Sequence, residues 1–203
     1  MTKEDLQKIA DELKDFPGKV KGEAFRTRLE YIRKKEGENG VKRLEEKMAE
    51  LGVPVRLDRV KPTEWINEGV NSLCVPVAKE IFDWTEEDVF DLGRFAFKTS
   101  FLTKTILAYL ISPKVALNAV PKYWRNYYDF GEMEVADYNE KEKYAVIRKK
   151  GYKTHPLLCI QHRGYLTAGT KLLLRGKSVD IKETKCMHKG DDYHEYLIKW
   201  KDY

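Results

Sequence analysis

The stretch Thr154 to Trp200, THPLLCIQHRGYLTAGTKLLLRGKSVDIKETKCMHKGDDYHEYLIKW, decides the fold, because in it an apolar helix runs directly into a β-hairpin. The helix opens at Thr154-His155-Pro156, a hydroxyl suited to capping the first N–H groups followed by a proline tolerated in the first turn. Lys171 and Arg175 stand near its end, where cations suit the helix dipole, and Gly176 is placed to take the left-handed conformation that stops a helix. Between those ends Leu157, Leu158, Ile160, Leu166, Leu172, Leu173 and Leu174 occupy too many faces for a surface helix, so this one is expected to be largely buried. Gly164 and Gly169 interrupt it at a cost of roughly 1 kcal/mol each against alanine. Something must approach closely there. A sheet, a partner helix or a flat apolar ligand would each serve, and close packing of the helix on a sheet is the expectation. Val179 and Ile181 then alternate, Lys189-Gly190-Asp191-Asp192 reads as a turn, and Tyr196, Ile198 and Trp200 follow at period two, which is a β-hairpin.

Working outward, Met133 to Tyr138 and Tyr144 to Arg148 read as two further strands, giving a β-β-α-β-β tail. Upstream the chain is helical. A short amphipathic helix carries Leu6, Ile9, Ala10 and Leu13; a second carries Phe25, Leu29 and Ile32 and breaks at Gly37 and Gly40; a third runs through Val41, Leu44, Met48 and Leu51 to Gly52. Pro62-Thr63-Glu64 is expected to start another helix, with a bend at Val75-Pro76-Val77. The clearest helix begins at Thr85, with Asp88 three residues on as in a capping box, and keeps the i, i+3, i+4, i+7 spacing through Val89, Leu92, Gly93, Ala96, Phe97 and Ser100. An apolar segment from Phe101 to Ile111 follows, and Ser112-Pro113 restarts a helix that reaches Trp124 and Tyr127. Helices first and antiparallel strands later predict an α+β fold: one domain over 1–203, with a helical extension at 1–60, a helical core at 61–131 and a sheet with a crossing helix at 132–203.

Two resemblances extend this reading. The run GYLTAGTKLLLRGKSVDIKETKCMHKGDDYHEYLIKW resembles the C-terminal signature of vinyl-reductase-type small-molecule-binding domains, which share a fold with the haem nitric-oxide-binding (H-NOX) sensors and the small TRAPP subunits of Golgi transport. PKYWRNYYDFGEMEV, with GEAFRTRLEYIRKKEG, is similar to an uncharacterised bacterial family of the same superfamily described from myxobacteria. In vinyl-reductase-type domains a Cys-x3-Gly-x3-Cys pattern commonly occupies the hairpin, and here it reads Cys186-x3-Gly190-x3-His194. The haem sensors hold iron through a mid-chain helical histidine and the propionates through Tyr-x-Ser-x-Arg. Neither stands in this sequence.

Composition narrows the function. Among 203 residues 42% are hydrophobic and 35% charged, with a net charge of +5 spread among interleaved Lys and Glu, as a solvated surface has rather than a nucleic-acid groove. Cys74, Cys159 and Cys186 are an odd number in apolar or strand-like segments, so a disulfide framework is not expected. The start Met1-Thr2-Lys3-Glu4-Asp5 carries no signal-like apolar run, and Lys104, Pro113 and Lys114 break the most apolar region below the length of a span. A cytoplasmic protein without a transmembrane segment is the expectation. No GxxxxGK[ST], GxGxxG or HExxH occurs. All four histidines, His155, His162, His188 and His194, lie in the final fifty residues. Only Cys186, His188 and His194 are local to the hairpin, whereas structural zinc takes four ligands, so no metal and no cofactor are expected.

These observations predict a non-catalytic binding or sensor domain for a small hydrophobic molecule: a lipid, an acyl chain or a tetrapyrrole-like ring, without haem ligation. The expected pocket lies between the helix bearing Phe97, Leu107 and Leu110 and the helix bearing Leu158, Cys159 and Tyr165, with Cys186 and His194 at its rim. The competing readings are a dimerising assembly module of TRAPP-subunit type, with a homodimer as its partner state, and a zinc-associated regulatory domain.

Overall fold

Thr85 shows how local chemistry sets the elements: its Oγ1 accepts from the Asp88 amide at 3.3 Å while Asp88 Oδ2 accepts from the Thr85 amide at 2.8 Å, closing the capping box. In the computed structural model, which describes residues 3–100, 112–175 and 177–201, this box starts α4 (Glu86–Thr99). Thr85→Ala should cost about 1 kcal/mol, read as a lower urea midpoint.

Before it come α1 (Lys3–Leu13), β1 (Lys19–Lys21), α2 (Gly22–Glu50), β2 (Trp65–Asn67) and α3 (Glu68–Ile81). After it come α5 (Pro113–Tyr127), β3 (Glu132–Asn139), β4 (Tyr144–Lys150), α6 (Leu157–Leu173), β5 (Ser178–Lys185) and β6 (Tyr193–Lys201). The predicted break at Gly37 is real: its φ of 73° divides α2. At Pro62-Thr63-Glu64 no helix starts. Trp65–Asn67 instead pairs antiparallel with β1, and α3 begins after it, where Asn67 Oδ1 accepts from the Val70 amide at 3.0 Å. Pro76 lies inside α3, which runs on to Ile81. Phe101–Ile111, including Leu107 and Leu110, lies outside the described residues.

The tail forms one antiparallel sheet in the order β3-β4-β6-β5, with α6 packed against it. The fold is α+β, as expected. Three local details differ. Thr154 does not cap α6; its Oγ1 is buried without a partner, and His155 Nδ1 accepts from the Leu157 amide at 3.2 Å. The left-handed residue after α6 is Arg175, with φ of 52°, while Gly176 lies outside the described residues. The close neighbour of the helix glycines is a helix rather than the sheet: a Cβ on Gly164 would stand 2.0 Å from the Phe90 carbonyl oxygen, and one on Gly93 would stand 1.9 Å from that of Gln161. Two glycines therefore let α4 and α6 touch backbone to backbone.

One apolar cluster fills the helical half, with Phe25, Ile32, Leu44, Leu73, Leu92 and Leu158 among its members. A second lies on the inner sheet face at Ala145, Ile147, Ile181, Tyr196, Ile198 and Trp200. Period two carries that inner face onward to Lys149 and His194, each 1% exposed. No helix among the described residues is long and apolar enough to cross a membrane.

Candidate functional site

Beside the Gly93–Gly164 contact, α2, α4, α5, α6 and the sheet line a cavity of about 300 Å³. Its walls are mainly apolar: Phe97, Leu117, Val120, Leu166, Leu173 and Ile198. Phe97 and Tyr165 meet edge to face at 5.2 Å between centroids. Tyr165 also shares a 3.1 Å hydrogen bond with Tyr123. Burial pushes both phenols well above their ordinary range, so they remain neutral.

Arg28, buried at 5% exposure, donates from Nη1 to the Asn71 carbonyl at 2.8 Å and from Nη2 to Gln161 Oε1 at 3.2 Å. Asn71 Nδ2 in turn donates to Glu68 at 2.6 Å, and Glu68 also accepts from Ser72 Oγ at 2.8 Å and Tyr152 OH at 2.5 Å. His162 Nδ1 faces Lys149 Nζ at 2.6 Å. Burial pulls Lys149 down to about 8, so at neutral pH it is still mainly an ammonium. An ammonium only donates, so Nδ1 accepts and the neutral imidazole carries its proton on Nε2. Glu23, also in the lining, accepts from Tyr127 OH at 2.7 Å.

Of the residues expected at this pocket, Phe97 and Tyr165 line it. Leu107 and Leu110 lie outside the described residues. Leu158, Cys159, Cys186 and His194 are not among its described lining, which corrects their expected place. The reason is helix and strand periodicity. Leu158 points into the helical core, and Cys159 meets the hairpin instead.

There Cys159, Glu183, Cys186 and His194 bring four ligand atoms within 4.8 Å of one another. Glu183 and Cys186 are three apart, which on a regular strand would put them on opposite faces. A bulge between Glu183 and Lys185 removes that mismatch. The two sulfurs are 3.8 Å apart, Cys159 Sγ and His194 Nδ1 are 3.6 Å apart, and His194 Nδ1 and Glu183 Oε1 are 3.1 Å apart. Tetrahedral zinc with ordinary bond lengths would separate such pairs by roughly 3.8, 3.6 and 3.3 Å. His194 Nε2 donates to the Tyr152 carbonyl at 2.9 Å, which leaves the Nδ1 lone pair facing the cluster. Burial opposes ionisation of Glu183, but a hydrogen bond from Cys159 and the positive charge of Lys149 hold it below the usual carboxylate range. Burial pushes the Cys159 thiol up, so without a cation at hand it stays protonated.

Arg28, Glu68, Lys149 and Glu183 were not singled out from the sequence. Two of them had a signal: Lys149 continues the inward series Ala145, Ile147, and Glu183 follows buried Ile181 at period two.

No family profile matches the chain, and no curated protein does. Its fold is similar to that of solved H-NOX proteins. One from S. oneidensis, in the Fe(II)NO state, superimposes with a TM-score of 0.69 at 15% identity, covering 90% of this chain and 100% of that one. One from K. algicida, a mutant in the unliganded Fe(II) state, gives 0.65 at 13% identity over 90% and 97%. An oxygen-binding H-NOX domain related to soluble guanylate cyclases gives 0.60 at 13% identity over 87% and 92%. The chain thus has an H-NOX-like fold. At such identities the likeness is one of fold alone.

Haem, which those proteins imply, meets a poor fit in the described cavity. Its one imidazole among the described lining residues is His162, whose Nδ1 is taken by Lys149 and whose Nε2 carries the proton. The segment 101–111 contains no histidine.

Proposed function

We propose that this chain is a single binding or sensor domain that holds a small hydrophobic molecule in the cavity between α4, α5 and α6, without ligating haem and without catalysing a reaction on it. The observation that carries this reading is the cavity itself: about 300 Å³ with a mainly apolar wall. Pockets of that size and character hold small ligands. The neutral phenols of Tyr123 and Tyr165 are suited to orienting a guest.

Filling the cavity stabilises the native state by mass action, by about 2.7 kcal/mol at a ligand concentration one hundred times the dissociation constant. A screen of fatty acids, isoprenoids and tetrapyrroles is therefore expected to raise the melting temperature for at least one class. Ala96→Trp, which puts an indole into the cavity wall, should abolish that shift and leave the circular dichroism spectrum unchanged. No shift with any class would remove this reading and leave the TRAPP-type dimerising module as the better one.

A second reading, a zinc-associated regulatory domain, is favoured by one observation: the ligand-atom separations of Cys159, Glu183, Cys186 and His194. It is compatible with the first, because Cys159 and the cavity residues Gln161, His162 and Tyr165 share α6. It also fits the resemblance of the hairpin sequence to vinyl-reductase-type domains, and a reducing compartment such as the cytoplasm, where thiols stay free.

A further inference from the structure

Arg28 is the one cation among the described lining residues of an otherwise mainly apolar cavity, and its hydrogen bonding is incomplete. Of the five N–H donors of a guanidinium, two are engaged in the bonds described above, both to neutral acceptors, and Nε is buried without a partner. Glu68, to which Asn71 connects it, already accepts from three donors. Keeping a guanidinium this far from water with neutral acceptors and an orphaned donor is costly, and a carboxylate is the group whose geometry meets it with two parallel bonds.

Resting on the cavity reading above, we propose that the occupant is an amphipathic monocarboxylate whose anionic end pairs with Arg28 beside Gln161 while its apolar body lies along Phe97, Leu166 and Leu173. At about 30 Å³ for each water-sized group, the cavity accommodates roughly ten heavy atoms, which is the size of a medium-chain fatty acid or an arylalkanoic acid. A second anionic group on the guest is disfavoured, because Glu23 also lines the cavity.

The test compares decanoate with 1-decanol, which has the same body and no charge, by isothermal titration of the full chain below the aggregation limit of either probe. Decanoate is expected to bind about tenfold more tightly or better, since a charged hydrogen bond replaces a neutral one. Arg28→Gln removes the anchor but endangers the fold. Gln161→Glu is therefore the decisive variant: it supplies Arg28 with a carboxylate from within the chain, and should bring the decanoate preference to parity or below while decanol still binds. Equal binding of both probes to the wild-type chain, or a decanoate preference that survives Gln161→Glu, would overturn the anchor and leave the cavity reading standing. Binding of neither probe would overturn the carboxylate occupant, and the cavity reading would fall with it only if the isoprenoids and tetrapyrroles also gave no shift.

Discussion

Alanine in place of Gly164 is expected to lower the stability of the protein by about 3 kcal/mol, at the upper end of overpacking costs. Two opposing terms decide the sign. Alanine is the better helix former by roughly 1 kcal/mol. Against that, the new methyl would stand 2.0 Å from the Phe90 carbonyl oxygen, a backbone atom that cannot swing aside as a side chain can. The helices must separate, and the dispersion contacts along the whole α4–α6 seam weaken together. Gly93→Ala meets the same seam from the other side, 1.9 Å from the Gln161 carbonyl oxygen, and should cost a similar amount. The double substitution should cost less than the sum, because the second methyl enters a gap the first has already opened. Urea denaturation of the three variants measures this, as a lower midpoint with an unchanged slope. A loss below about 0.5 kcal/mol for Gly164→Ala would show that the helices have slack there, as an ordinary surface position does.

Zinc is expected to bind at one ion per chain and to survive dialysis. Replacing Cys159 or Cys186 by serine should weaken it by at least about a hundredfold, beyond the roughly 10–100-fold usual for groups that only support a ligand. The sequence alone leads to the opposite expectation, because it places only three ligands near the hairpin. The geometry leaves His188 out of that set and adds Cys159 from α6 and Glu183 from β5, so that four ligand atoms stand within 4.8 Å of one another. Affinity should fall as the pH is lowered, since protons compete for the thiolates. His188→Gln is the control. Although its ring lies 5.7 Å from that of His194, it is not one of the four clustered ligands, and zinc should bind the variant as it does the parent. Inductively coupled plasma mass spectrometry with a chelator titration reads both quantities. A metal content near zero after zinc loading would dismiss the regulatory-zinc reading without touching the cavity.

The order and type of most elements were legible in the sequence, because those are set by local rules. The Thr85 capping box, the Ser112-Pro113 start, the Gly37 break and the alternation around Ile147, Ile181 and Ile198 each act within a few residues and survive into the fold. The resemblance of the tail pointed to the H-NOX-like fold that the superpositions show. What meets what was settled only by packing. Whether Gly164 faces a helix or a sheet depends on the crossing of two elements far apart in the chain, and no periodicity records that. The Glu183 bulge shifts the strand by one residue, which moves Cys186 to the face period two would deny it. Arg28 and Glu68 look like ordinary surface charges in an amphipathic sequence; only the packing of α2 and α3 against α6 places them inside, where each must be hydrogen-bonded or bear the full cost of leaving water.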